Sequence, residues 1–358
     1  MKVKIEYLIP GTILAEDIYK KTNTPIMKKK TVLTNELINI LKIFMVPSVT
    51  IENKLENGSL FKANSVIVED AKRKDTIEDP FIDRYLFAVQ QFKKLFNHWQ
   101  GGTKVDAFAV RKVFLPLYNK TPKKEDLIQL HHYSNKNEYI YFHSVAVSVL
   151  SSLVGRKMGL SNGEVIQLGL SGLLSDCGMA KLPFNVFEKK GALTIDEYEQ
   201  VKTHPLFGYR MLEDVAGFTK EALLGVLQHH EREDGSGYQY KLKSNKIHLF
   251  AKIISICDIY HAMTSERHYR TKKSPYKVIE SLRKEHFGKI DHIVLHHFTQ
   301  VILDLSIGTK VRLSSNDIGE IVFLDEKEPT RPTIKLENGN LFELTSHHDV
   351  YVEEQLLE

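Results

Sequence analysis

Histidines and carboxylates recur along one stretch of this chain where they could act together. They are His143 in YFHSVAVS, Asp176 in LLSDCGM, His204 in VKTHPLFG, the pair His229-His230 in HHEREDGSGYQY, and Asp258 in IISICDIY. Imidazoles with one or two carboxylates are the donor mix expected for Fe, Mn or Zn, and a shared carboxylate can hold two ions about 3.5 to 4 Å apart. Such a centre polarises a phosphoryl oxygen and lowers the pKa of a metal-bound water, so the reaction class is phosphoester hydrolysis.

Taken singly, most of these residues have a plainer explanation. Adjacent histidines also occur at His131-His132, His296-His297 and His347-His348. A single histidine such as His143 on a mixed helix face is ordinarily a surface or core residue, and His229 and His230 could oppose a helix-end dipole. Asp258 is harder to dismiss, because a carboxylate inside an apolar helix needs a cation or strong hydrogen bonds.

The elements that must position them are helical. Residues 126–305 read as helix after helix, with turns at GLSNGE, KLPFN, EDVAGFTK and DGSGY. Thr194, three residues before Glu197, marks a helix start by a capping box. Residues 1–62 alternate short β-like runs (VKIEYLI, SVTIE) with one helical run whose Leu37, Ile38, Leu41 and Phe44 share a face, which suggests a small α+β module. Residues 63–125 form a helical linker region in which Tyr85, Val89, Phe92 and Phe96 recur at helical spacing. In residues 306–358 the period changes to that of strands: KVRLSS, GEIVFLD, PTIKLE and LFELT, the last two joined by an Asn-Gly hairpin turn. The expected architecture is mainly α, with a small β-rich, barrel-like module at the C-terminal end.

Composition narrows the function classes. The net charge of +4 is the small difference between 49 basic and 45 acidic residues, which argues against a general nucleic-acid binder, and runs such as Lys28–Lys30 and Lys72–Lys74 read as solvated faces. No DNA partner is expected. Cys177 and Cys257, the two cysteines, each lie in an apolar helical pattern, which predicts buried free thiols in a reducing compartment. No segment reaches about 18 uninterrupted apolar residues, so no membrane span is expected and the default address is the cytoplasm.

The order and spacing of the candidate residues add a family likeness. HHEREDGSGYQY resembles the HD-GYP signature: His229, His230, Glu231, Arg232, Asp234, Gly235, Gly237 and Tyr238 match, and Gln239 replaces the proline. HSVAVS resembles the family's first ligand helix and THPLFGYRML its His-Pro segment. ICDIYHAMTSERHYR resembles the helix and loop after the signature, with Asp258, Thr264, Arg267 and Tyr269 in register. FGKID, the N-terminal IPGTILAEDIY and the β-rich tail also resemble segments of some members, so the likeness covers most of the chain. It implies an all-helical HD-GYP-like domain that hydrolyses cyclic di-GMP or a related cyclic dinucleotide with divalent transition metal. His143, Asp176, His204, His229, His230 and Asp258 would be metal ligands, with Asp176 also counted as catalytic. Gly235, Gly237, Tyr238 and Arg267 would contact the nucleotide.

The family's defining segment is broken here. Ser175 stands where a metal-binding histidine is usual, and Met179 replaces the lysine beside the phosphate. A hydroxyl is a poor ligand for a first-row transition metal, and one electrostatic donor at a growing phosphoryl charge can be worth roughly 2.7 to 4 kcal/mol. Lys181, two positions on, would lie about 200° round a continuing helix and so could substitute only if the helix had ended. His261 stands where an acidic residue is usual. The expected site therefore holds one or two ions and is weakened. Three readings stay open: a weakened phosphodiesterase, a module that binds the nucleotide or a protein partner without hydrolysis, and a helical bundle with incidental histidines. A protein partner reached through either terminal module, and a homodimer, are compatible with all three.

Overall fold

The computed structural model describes residues 2–5, 8–18, 27–35, 37–38, 41, 46, 48–52, 54–56, 80–130, 133, 138–183, 189, 191, 193–265, 273–284, 287–303, 305–325 and 328–356. The chain divides into two compact units, Met1–Glu78 and Asp79–Glu358. In the first, β1 (Lys2–Lys4) and β2 (Ser48–Thr50) pair antiparallel, and Val3, Leu14, Leu33, Ile38, Leu41, Val49 and Ile51 are among the residues of its core. Leu37 packs against that core, as the shared helical face anticipates, while Phe44 lies outside the described residues.

The second unit begins with α1 (Phe81–Gln100) and α2 (Ala107–Tyr118). Tyr85, Val89, Phe92, Phe96 and Trp99 are all buried along one stripe of α1. Each such side chain removed from water contributes roughly 1.5–3 kcal/mol. The Tyr85 hydroxyl donates to the Phe142 carbonyl at 3.0 Å, joining α1 to the helix that follows in space, α4 (Tyr139–Lys157). A short α3 (Lys124–Gln129) lies between α2 and α4 in sequence.

Helix α4 is the centre of the body, buried nearly all round, and its Ser144, Ser148, Ser151 and Ser152 are buried with its valines. Small residues there let α5 (Asn162–Leu174) come close: a Cβ on Gly172 would lie 3.2 Å from the Ser148 Cα, and the Ser148 hydroxyl donates to the Gly169 carbonyl at 2.7 Å. After α5 the chain tightens into a 3-10 turn, Cys177–Lys181, then continues through α6 (Ile195–Val201), α7 (His204–Leu212) and α8 (Lys220–Gln228) to α9 (Leu249–Thr264), α10 (Pro275–Lys284) and α11 (His292–Ile302). The capping box expected at Thr194 and Glu197 starts α6. Both cysteines are free and buried; burial pushes the Cys257 thiol up to about 12 and raises that of Cys177 as well. No helix among the described residues is long and apolar enough to cross a membrane.

The tail is a five-stranded antiparallel sheet in the order β6-β5-β4-β3-β7, formed by β3 (Lys310–Leu313), β4 (Ile318–Phe323), β5 (Thr333–Leu336), β6 (Leu341–Glu343) and β7 (Val352–Gln355). Four of these strands fall in the four β-like runs; β7, a charged VEEQ stretch, was not anticipated. The β5–β6 hairpin turns at Gly339, whose φ of +84° suits glycine. Val311, Leu313, Ile321, Ile334, Leu344 and Val352 pack with Tyr276 of α10. A buried Arg331–Glu280 ion pair joins sheet and helix, and Arg331 also donates to the Leu344 carbonyl at 2.7 Å.

Candidate metal centre and glycine loop

Helix α5 ends at Leu174, so Asp176 sits on the turn between α5 and the 3-10 segment rather than on a helix face. That turn is pressed against the start of α7: a Cβ on Gly178 would fall 2.0 Å from the His204 carbonyl oxygen and 2.5 Å from the Gly208 nitrogen. Glycine alone permits this approach, and it places Asp176 opposite His204. The Asp176 Oδ1 lies 3.1 Å from His204 Nε2 and 3.8 Å from His229 Nε2, while its Oδ2 lies 3.6 Å from His143 Nε2.

The histidines are held from behind. His204 Nδ1 is 2.7 Å from the Val201 carbonyl and His229 Nδ1 is 2.8 Å from the Val226 carbonyl. A carbonyl can only accept, so each Nδ1 carries the proton and each Nε2 presents its lone pair toward Asp176. The two Nε2 atoms are 3.3 Å apart. Burial, then the neighbouring His204, pushes the pKa of His229 down to about 4, and burial with His229, His204 and Arg232 lowers that of His230 well below its ordinary value. Neutral imidazoles are the ligand form. Burial alone would raise the Asp176 pKa, but its close contact with His204, with His143 and His229 nearby, holds it below the usual carboxylate range.

Asp176, His204, His229 and His230 each offer one donor atom, and these atoms all lie within 4.8 Å of one another. An anionic oxygen among neutral imidazoles that share a small volume is a donor set that fits a divalent transition metal. Beside it, His143 Nε2 lies between the other oxygen of Asp176, at 3.6 Å, and Asp258 Oδ1, at 2.9 Å. Burial would raise the Asp258 pKa too; the contact with His143, with His229 and the Arg232 guanidinium nearby, lowers it.

Two residues that sequence reasoning did not assign complete this side. Tyr139 Oη is 2.8 Å, and His261 Nδ1 is 3.0 Å, from His143 Nδ1, all three buried. Their signals were the four-residue spacing of Tyr139 and His143 and the three-residue spacing of Asp258 and His261, each pair on one helix face. The Ser175 hydroxyl donates to the Gly172 carbonyl at 3.0 Å. Lys181 is not barred by helix rotation, since the helix has ended, but its ammonium donates to the Trp99 carbonyl at 2.9 Å.

The glycine loop closes over the cluster. The buried Glu231 carboxylate accepts from the backbone N–H groups of Tyr240 at 2.6 Å and Leu242 at 2.9 Å, folding the loop back on its own histidine pair. A Cβ on Gly237 would meet the His230 carbonyl oxygen at 2.4 Å and the Glu231 Cα at 2.5 Å, so the loop can fold this tightly only with glycine there. The next residue, Tyr238, stacks on His230 at 4.6 Å between ring centroids and 23° between planes. Gly235 takes a φ of +81° on the outer side of the turn. Gln239, in place of the proline, donates from its side-chain amide to the Lys202 carbonyl. Arg267 and Tyr269 lie outside the described residues.

Residues 124–294 match the family model of the HD domain. The chain is 34% identical over 212 residues to the cyclic di-GMP phosphodiesterase PA4108 of Pseudomonas aeruginosa, covering 59% of this chain and 50% of that one. It is 30% identical over 214 residues to the cyclic di-GMP phosphodiesterase PdeB of Borreliella burgdorferi, covering 59% of this chain and 56% of that one. The chain thus spans about half the length of these curated relatives. Its fold is similar to that of Bd1817, a HDG"Y"P protein from Bdellovibrio bacteriovorus, with a TM-score of 0.51 at 15% identity over 84% of this chain and 99% of the other. Over residues 124–294 the chain is thus similar to HD-domain proteins.

Proposed function

We propose that this protein is a metal-dependent phosphodiesterase acting on cyclic di-GMP or a related cyclic dinucleotide, with a site weakened at one of its two halves. The observation that carries the reading is the convergence of His204 and His229, Nε2 foremost, on one oxygen of Asp176, beneath a loop fixed by Glu231. Asp176, His204, His229 and His230 would hold one ion; His143 and Asp258, with the second oxygen of Asp176, would hold another more weakly. An ion of Fe, Mn or Zn there supplies a Lewis acid for a phosphoryl oxygen and an acidified water.

The chain's own residues do the rest. Asp176 offers one anionic charge to both halves, and the Val201 and Val226 carbonyls fix the tautomers that leave Nε2 available. Tyr238, seated on His230, and the backbone at Gly235 and Gly237 form the wall against which the nucleotide rests, and Arg267, by its place in the motif, would contact the nucleotide. The buried thiols fit a reducing compartment, hence the cytoplasm. The shared core of Leu344, Val311 and Val352 supports a tail sheet that curls toward a small barrel, open between β6 and β7.

A second reading, a cyclic-dinucleotide receptor without turnover, is favoured by one set of contacts. Ser175 turns its hydroxyl to its own helix and Lys181 is spent on Trp99, so neither replaces the missing imidazole or ammonium. Metal content and cyclic di-GMP turnover, measured on the same anaerobically purified sample, separate the two. Bound metal with turnover supports the enzyme; bound metal and nucleotide without turnover supports the receptor; a chain that binds neither overturns both.

A further inference from the structure

Beside the glycine loop, α6 carries an outward face. Ile195, Tyr198 and Lys202 follow at spacings of three and four and so lie on one side of the turn. Ile195 is 82% and Tyr198 51% exposed. The Lys202 ammonium sits over the Tyr198 ring, 4.7 Å from its centroid, and is held there by Glu199 Oε1 at 2.6 Å. The capping box at Thr194 and Glu197 fixes the start of the helix.

This face is tied to the centre at two points. The Gln239 side-chain amide donates to the Lys202 carbonyl, and His204, two residues further on, belongs to the donor cluster. Tyr238 immediately precedes Gln239 and stacks on His230. A single tether thus sets the spacing between an exposed aromatic ring, a loop aromatic ring and the donor cluster.

We propose that Tyr198 is a stacking surface for a purine base of the cyclic dinucleotide whose phosphodiester lies at the Asp176 cluster, and that Gln239 holds this surface at the required distance. The inference rests on the cyclic-dinucleotide reading above. Stacking on an aromatic side chain is a general means of holding a base, because every base presents a π face. The ammonium occupies one face of the half-exposed Tyr198 ring, and the base would take the opposite one. A half-exposed ring on a capped, tethered helix also loses little freedom on binding, which favours its use as a platform. Stacking reads the face of a base rather than its edge, so this surface supplies affinity for purines without choosing between them.

The test uses the full chain loaded with Mn²⁺, titrated calorimetrically with cyclic di-GMP and separately with inorganic phosphate. Tyr198→Ala is expected to weaken cyclic di-GMP binding about tenfold, the low-to-middle range for loss of one stacked base. Tyr198→Phe and Tyr198→Trp should bind as the natural protein does. Gln239→Ala should weaken binding less than Tyr198→Ala. Inorganic phosphate affinity and the metal-to-protein ratio should not change in any variant. Equal cyclic di-GMP affinity in the natural protein and Tyr198→Ala overturns the stacking surface and leaves the phosphodiesterase reading intact. A Phe variant as weak as the Ala variant, or loss of metal in Tyr198→Ala, overturns it as well, because the ring would then act through its hydroxyl or through the fold. Natural protein that holds Mn²⁺ and phosphate but no cyclic di-GMP overturns the functional reading itself, and the base surface with it.

Discussion

Asp176 and His204 meet at 3.1 Å across a contact between the 3-10 turn and α7 that has no room for a side chain at Gly178. The carboxylate is thereby set between two groups of histidines, with His204 and His229 at one oxygen and His143 at the other.

Replacing the shared charge should empty the centre. Asp176→Asn keeps the shape and removes the one anionic oxygen common to both halves, so bound metal should fall at least tenfold, the scale at which even supporting residues of metal sites act. Elemental analysis of the purified variant, with circular dichroism to confirm folding, is the check. A folded Asp176→Asn protein with undiminished metal would show that the ions, if any, lie elsewhere.

Restoring the broken segment should fill the weaker half. In Ser175→His with Met179→Lys, an imidazole joins His143 and Asp258, and bound metal should rise from about one to about two ions per chain. Cyclic di-GMP turnover should rise with it. No change in either quantity would mean that residue 175 does not face the centre.

The glycine loop should depend on Glu231. Truncation to alanine leaves the Tyr240 and Leu242 N–H groups without the carboxylate they now share. Hydrogen bonds to a charged group are worth about 1.5–3 kcal/mol, so Glu231→Ala should lose about 3 kcal/mol of stability while Glu231→Gln loses less. Urea unfolding gives the energy, and hydrogen exchange at these two amides gives the place. Unchanged exchange there would remove the loop clamp from the account.

Acid should loosen the tail sheet before it disrupts the helices around the core of α4. Burial would raise the Glu280 pKa, but hydrogen bonds from Arg331 and Lys284 and the charges of Arg331 and Lys277 bring it below its ordinary value. A carboxylate depressed in the folded state contributes its stabilisation fully above the unfolded value of about 4.3 and loses it as pH falls through the lower folded value. Protection of the β3–β7 amides, measured against their intrinsic exchange rates, should therefore fall below about pH 4.3 in the natural protein. Glu280→Gln should show the lower protection already at neutral pH, since removing one partner of a buried pair costs about 3–5 kcal/mol. Identical exchange in the two proteins at pH 7 would count against this docking contact.

Much of this was legible in the residues. The buried stripe of α1, the Thr194 capping box and the Asn-Gly hairpin follow from spacing and turn chemistry. The motif residues His143, Asp176, His204, His229, His230 and Asp258, far apart in sequence, do converge in space. Other features depend on tertiary contacts that periodicity does not encode. Strand β7 is written in charged residues and exists because β3 offers it an edge. The placement of Tyr139 and His261 around His143 required the packing of α4 on α9, and the contact of Lys181 with Trp99 required α1 to lie beside the 3-10 turn.

The backing of His204 and His229 by carbonyls of their own chain neighbourhoods, Val201 and Val226, has a further consequence. Neither ring depends on residue 175 or on His143 for its orientation, so damage to one side of the centre is not propagated to the other. Such a cluster would change in steps, with Asp176, His204 and His229 keeping their arrangement when residues on the His143 side are altered.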